Sequence, residues 1–93
     1  MQGNSSVGAW QVVEKGTLPQ KVATAFSKSV KNLKGAKYKP VLYCGFQVVS
    51  GTNHMIICRQ TLVTSPLENH WVKFVVHIPL EGDPRILFID RII

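Results

Sequence analysis

With 93 residues and 45% hydrophobic content, the chain has room for one domain with one core and is not disordered throughout. No apolar run approaches the roughly 20 residues that a membrane helix needs, so no membrane-spanning segment is expected. The net charge of +6 admits a polyanionic partner, but charge alone does not distinguish such a partner from a solvated surface.

Residues Met1–Ser6 read as a flexible polar lead-in to a single domain, with Gly3, Asn4, Ser5 and Ser6 together. Asn4-Ser5-Ser6 matches a glycosylation sequon, a pattern that also arises by chance. The first fifteen residues lack the basic start and apolar middle of a signal peptide. A cytoplasmic location is therefore expected, with a processed secreted form as the alternative. Val7–Val13 reads as a short first strand or an extended arm.

Thr17-Leu18-Pro19-Gln20 has the spacing of a capping box, in which the Thr17 hydroxyl and the Gln20 side chain satisfy each other's backbone N–H groups. Pro19 falls in the first turn, where its missing N–H is not needed. Beyond it Val22, Phe26, Val30 and Leu33 share one helical face, with Ala25 and Ser29 beside them. Lys21, Lys28, Lys31 and Lys34 take the other side. The pattern predicts an amphipathic helix over roughly residues 18–34, ended by a left-handed Gly35.

Four runs rich in β-branched and aromatic residues follow: Tyr38–Val49, Thr52–Thr64, Trp71–Ile78 and Arg85–Ile93. Short turn-forming stretches separate them, at 50–51, 65–69 and 79–84, and no second helical pattern intervenes. Short connections make consecutive strands antiparallel neighbours. The expected fold class is α+β, in the order β-α-β-β-β-β, with one helix across a four- or five-stranded antiparallel sheet.

Little in the chain suggests catalysis. The acids are Glu14, Glu68, Glu81, Asp83 and Asp90, and the only close pair flanks Gly82 in a turn. His54, His70 and His77 are scattered, and Cys44 and Cys58 are too few for a disulfide framework and badly spaced for zinc. Both cysteines lie in strand-like sequence, where a thiol acts as a small hydrophobe. No enzyme activity, cofactor or metal is expected. The lysines between Lys15 and Lys39 have no aromatic residue between Phe26 and Tyr38, so the stacking groups of a nucleic-acid site are missing there.

The informative stretch is Gln47-Val48-Val49-Ser50-Gly51-Thr52-Asn53. It reads as a hairpin turn in which Gly51 supplies positive φ. Valines beside a turn tip either face the core or await a partner. Gln47-Val48-Val49-Ser50-Gly51 resembles the Gln-x-Val-x-Gly motif of the cystatins, and Lys37-Tyr38-Lys39-Pro40-Val41 is similar to the strand opening of their single-domain members, the stefins. The element order agrees over most of the chain. This resemblance implies reversible, tight-binding inhibition of papain-like cysteine proteases by a three-part wedge. Gly8 and Ala9 would form the arm, Gln47, Val48, Val49, Ser50 and Gly51 the central hairpin, and Pro79 and Leu80 the third loop. The family often has two glycines in the arm, where this chain has Gly8-Ala9; Pro79-Leu80 replaces the Pro-Trp of many members.

Such a wedge blocks the cleft beside the catalytic cysteine and presents no scissile bond. The expected partner is a papain-like protease, with no nucleic acid and no membrane, and the expected form is a monomer. A dimer that exchanges its hairpin is the alternative. Two other functions stay open on sequence. One is a non-inhibitory binding module on the same scaffold. The other is a basic surface, carried by Lys21, Lys28, Lys31 and Lys34, for nucleic acid or anionic lipid.

Overall fold

Hydrophobic alternation draws nearly the whole second half of the chain into strands. The structure, a computed structural model, describes residues 8–93; the lead-in Met1–Ser6, its sequon and Val7 lie outside the described residues. The elements are β1 (Trp10–Val12), α1 (Gln20–Val30), β2 (Ala36–Val49), β3 (Gly51–Leu62), β4 (Glu68–Ile78) and β5 (Arg85–Arg91). The strands pair antiparallel in chain order, β1-β2-β3-β4-β5. This is the expected α+β, cystatin-like arrangement of one helix on a five-stranded sheet.

Strand side chains alternate between faces, and the alternation divides the apolar residues in two. Ile56, Cys58, Val72, Phe74 and Val76 join Val22, Ala25 and Phe26 of α1 in one buried cluster. Phe74 is its centre, with ring centroids 4.9 Å from Phe26 and 5.7 Å from Tyr38. Met55, Ile57, Trp71, Lys73 and Val75 alternate to the opposite face, which no helix covers among the described residues.

The helix is shorter than its sequence pattern. It begins at Gln20, with Pro19 as an extended N-cap residue at ψ 150° and no side-chain cap hydrogen bond. An extended Pro19 carries Thr17 away from the Gln20 N–H, so the expected capping box does not form; Gln20 Nε2 donates instead to Thr24 Oγ1 at 3.3 Å. At the other end α1 stops at Val30, and Leu33 is exposed. Gly35 does have positive φ, 83°, but it serves the sheet: its carbonyl accepts from Val63 N at 2.9 Å. Residues 31–34 are spent carrying the chain from helix to strand.

Other boundaries shift less. β2 starts two residues early and β4 three residues early. β3 ends at Leu62 and β5 at Arg91. Trp71 is a mid-strand residue of β4 on the uncovered face and is 39% exposed, so it is not part of the core. Register shifts between Pro40 and Leu42 and between Tyr43 and Gly45 mark bulges in β2, which bend a strand and re-aim its side chains.

Candidate functional site

The β2–β3 hairpin closes on three residues. Val49 pairs with Gly51 and Val48 with Thr52, which leaves Ser50 exposed at the tip. Gly51 has φ 98° and is buried against the end of β4. A Cβ there would run into the Ile78 carbonyl oxygen and lie 2.9 Å from Pro79 Cα. The absence of a side chain thus allows both the turn and the close approach of the β4–β5 loop.

The N-terminal arm reaches the same edge. Gly8 N donates to Val48 O at 2.9 Å, and Trp10 stands opposite Gln47. β1 can come this close because Gly45 has no side chain; a Cβ there would meet the Gln11 carbonyl oxygen. A chain of side-chain hydrogen bonds then ties the pieces together. Gln47 Nε2 donates to Gly8 O at 2.8 Å, and Asn53 Nδ2 donates to Gln47 Oε1 at 2.8 Å. Asn53 Oδ1 therefore accepts, and its partner at 2.7 Å is His77 Nδ1. Four segments (arm, β2, β3 and β4) are linked by these contacts, and both Asn53 and His77 are buried.

All nine residues named from sequence lie at this edge or lead into it. Val48, Val49, Gly51, Pro79 and Leu80 line one shallow groove of about 300 Å³, together with Lys21, Thr52 and Ile78. Val48 is 44% and Leu80 80% exposed, so two apolar side chains stand in solvent side by side. Val49 and Pro79 are half-buried, as is Ala9 beside exposed Gly8. Gln47 is half-buried and acts through its side chain, as the link to Gly8.

Sequence reasoning missed Asn53 and His77. A signal existed for Asn53: a hairpin centred on Ser50 sets residue 53 opposite 47 on the same face. His77 becomes visible only once the β3–β4 register is known, since it stands opposite Asn53 in that ladder.

Beneath the hairpin, on the helix side, His54 is clamped between Tyr43 and Thr52. Tyr43 Oη lies 2.8 Å from His54 Nδ1, and His54 Nε2 lies 2.8 Å from Thr52 Oγ1. Burial, helped by the charge of Lys21 and by the neighbouring His77, lowers the His54 pKa to about 4. The neutral ring with its proton on Nε2 satisfies both contacts at once, accepting from Tyr43 and donating to Thr52.

The two thiols are free. Burial pushes Cys58 up to about 12, with Cys44 adding to the rise, and burial also raises Cys44. Thiols held in the protonated form are poor nucleophiles at neutral pH. Among the described residues no three His, Cys, Asp or Glu side chains converge on a metal position. None of the helices there is long and apolar enough to cross a membrane. The edge offers shape and apolar contact, through Val48, Ile78, Pro79 and Leu80.

No family model, curated protein or solved structure matches this chain.

Proposed function

We propose that this chain inhibits papain-like cysteine proteases reversibly, by seating its arm, hairpin tip and β4–β5 loop in the active-site cleft. The observation that carries the reading is the convergence of three segments, distant in sequence, on one apolar edge. Val48 and Leu80 are exposed there, while the backbone beneath them is held by the Gly8–Gln47–Asn53–His77 chain. The resemblance of residues 47–51 to the cystatin motif gives that edge its partner.

The physics suits occlusion. Exposed apolar side chains at a rigid tip gain from burial in a groove, about 25 cal/mol for each Å² removed from water. A hairpin already held by cross-strand and side-chain hydrogen bonds has little conformational entropy left to lose on docking, so a small contact area can bind tightly. Turnover is avoided because a tight turn does not present an extended peptide bond to the attacking thiolate.

Titration of papain with the whole chain tests this. Stoichiometric loss of activity, recovered on dilution, is the expected result. Val48→Asp combined with Leu80→Asp should weaken inhibition by roughly 30-fold or more, the loss typical of central contact residues, with an unchanged unfolding midpoint. Undiminished papain activity at micromolar inhibitor would overturn the proposal and leave a non-inhibitory binding module on the same scaffold.

A further inference from the structure

The open face of the sheet, opposite α1, gathers cations and aromatic rings that are dispersed in the sequence. The β2–β3–β4 register aligns Lys39, Arg59 and Trp71 in one row, and the β4–β5 register sets Lys73 beside Asp90 and Val75 beside Phe88. Arg59 Cζ lies 5.9 Å from the Trp71 ring centroid and Lys73 Nζ 5.6 Å from that of Phe88. Both rings are 39% exposed. Lys37, two residues before Lys39 on the same face, extends the basic row. Of the five acids, only Asp90 stands on this face: Glu68 alternates to the helix side, Glu81 and Asp83 lie in the β4–β5 loop, and Glu14 precedes α1.

We propose that this face binds single-stranded nucleic acid, with Trp71 and Phe88 stacking on bases and Lys37, Lys39, Arg59 and Lys73 meeting phosphates. The proposal is independent of the protease reading. It also departs from the expectation that no nucleic acid is bound, which rested on the lysines between Lys15 and Lys39 having no aromatic residue between Phe26 and Tyr38. The missing rings are supplied by β4 and β5, which bring Trp71 and Phe88 to the face where Lys37 and Lys39 of that run meet Arg59 and Lys73.

Three observations favour this partner. Charge is complementary, because four cations face one carboxylate. A groove of about 310 Å³ opens beside Trp71, lined by Arg59, Asn69, His70 and Ile93, with room for an unstacked base and polar groups within reach of its edge. Each ring carries a cation against it, Arg59 on Trp71 and Lys73 on Phe88, so sinking the rings among lipid tails would carry a charge out of water with them. Finally, a sheet face does not enter the major groove of a duplex as a helix does, while exposed rings need bases already free to stack. Phe88 pairs with Val75, four residues along β4 from Trp71, so the rings stand about 14 Å apart. That spans about four nucleotides at the ~3.4 Å rise of a stacked strand, and fewer in a stretched one.

Fluorescence titration of the full chain tests the proposal. The chain has two tryptophans, so Trp10→Phe leaves Trp71 as the only indole reporter. A twelve-residue oligothymidylate should quench it, and binding should weaken roughly 50-fold between 50 and 200 mM salt, the dependence of about four phosphate contacts on a single strand. With a dye-labelled oligonucleotide as readout, Trp71→Ala and Phe88→Ala should each weaken binding about 5- to 100-fold. Arg59→Glu, at an exposed position, should weaken it at least about tenfold with little change in the melting curve. Four results overturn the proposal: no saturable binding at 50 mM salt, equal binding of a duplex, indifference to both ring deletions, or binding of anionic phospholipid vesicles in place of the oligonucleotide.

Discussion

Gly51 meets two demands that no other residue can meet together. Its φ of 98° lies where a side chain adds roughly 1–2 kcal/mol of backbone strain, and the space a Cβ would take is filled by Ile78 and Pro79. Gly51→Ala should therefore lower stability by about 2–4 kcal/mol, strain and overpacking together. Urea unfolding would read this as a lower midpoint at constant slope; an alanine variant as stable as the parent would mean that the β4–β5 loop yields freely. Substitution here perturbs the fold as well as the tip, so Val48 and Leu80 are the cleaner probes of the proposed inhibition. His54 makes a second residue-scale prediction. Its folded pKa of about 4 lies below the ordinary 6.5, so the unfolded chain takes up a proton that the folded chain refuses. Stability is then complete above about pH 6.5 and falls as pH drops toward 4, by about 3 kcal/mol at the limit. His54→Gln should flatten that decline in pH-dependent unfolding, and a decline of the same size in the variant would assign it to other groups.

At the scale of elements, the β2–β3 hairpin holds the edge together through Asn53. Asn53→Leu fills similar volume but leaves Gln47 Oε1 and the buried His77 Nδ1 without partners, at a cost of about 1–3 kcal/mol. The loss should fall first on the arm, so exchange of the Gly8 amide, which donates to Val48, should speed up while β3–β4 amides keep their protection. Unchanged Gly8 exchange would show that the β1–β2 ladder holds the arm unaided. The elements differ in how far sequence revealed them. Strand runs were legible because β-branched residues and short turns leave few alternatives, and the hairpin tip because Gly51 follows the valines. The helix ends were not, since both are decided by the sheet. Pro19 is extended as Leu18 packs against the core, and Gly35 is bonded to Val63. The open face was illegible for the same reason: Arg59 meets Trp71 only through a register set by the 63–67 loop.

For the molecule as a whole, the single helix works as a clasp between two halves. It belongs in sequence with β1 and β2, yet it packs on β4 and β5, with Phe26 against Phe74 at 4.9 Å. The two halves are joined covalently only at the turn around Ser50, between Val49 and Gly51. If that turn straightens, β2 and β3 run on as one strand. The first half of one copy can then lay its β2 and α1 on the second half of another, and every contact except the turn is made again. Deleting Ser50 removes the residue that lets the chain reverse, and a hinge too short to turn favours exchange. The deletion should yield a dimer by light scattering, with an unchanged far-ultraviolet spectrum. Its Val48 and Val49 no longer flank a protruding tip, so under the proposed function the dimer should not inhibit papain at concentrations where the parent chain is expected to. A deletion variant that stays monomeric would show that the turn re-forms around Val49 and that the clasp outweighs hinge strain.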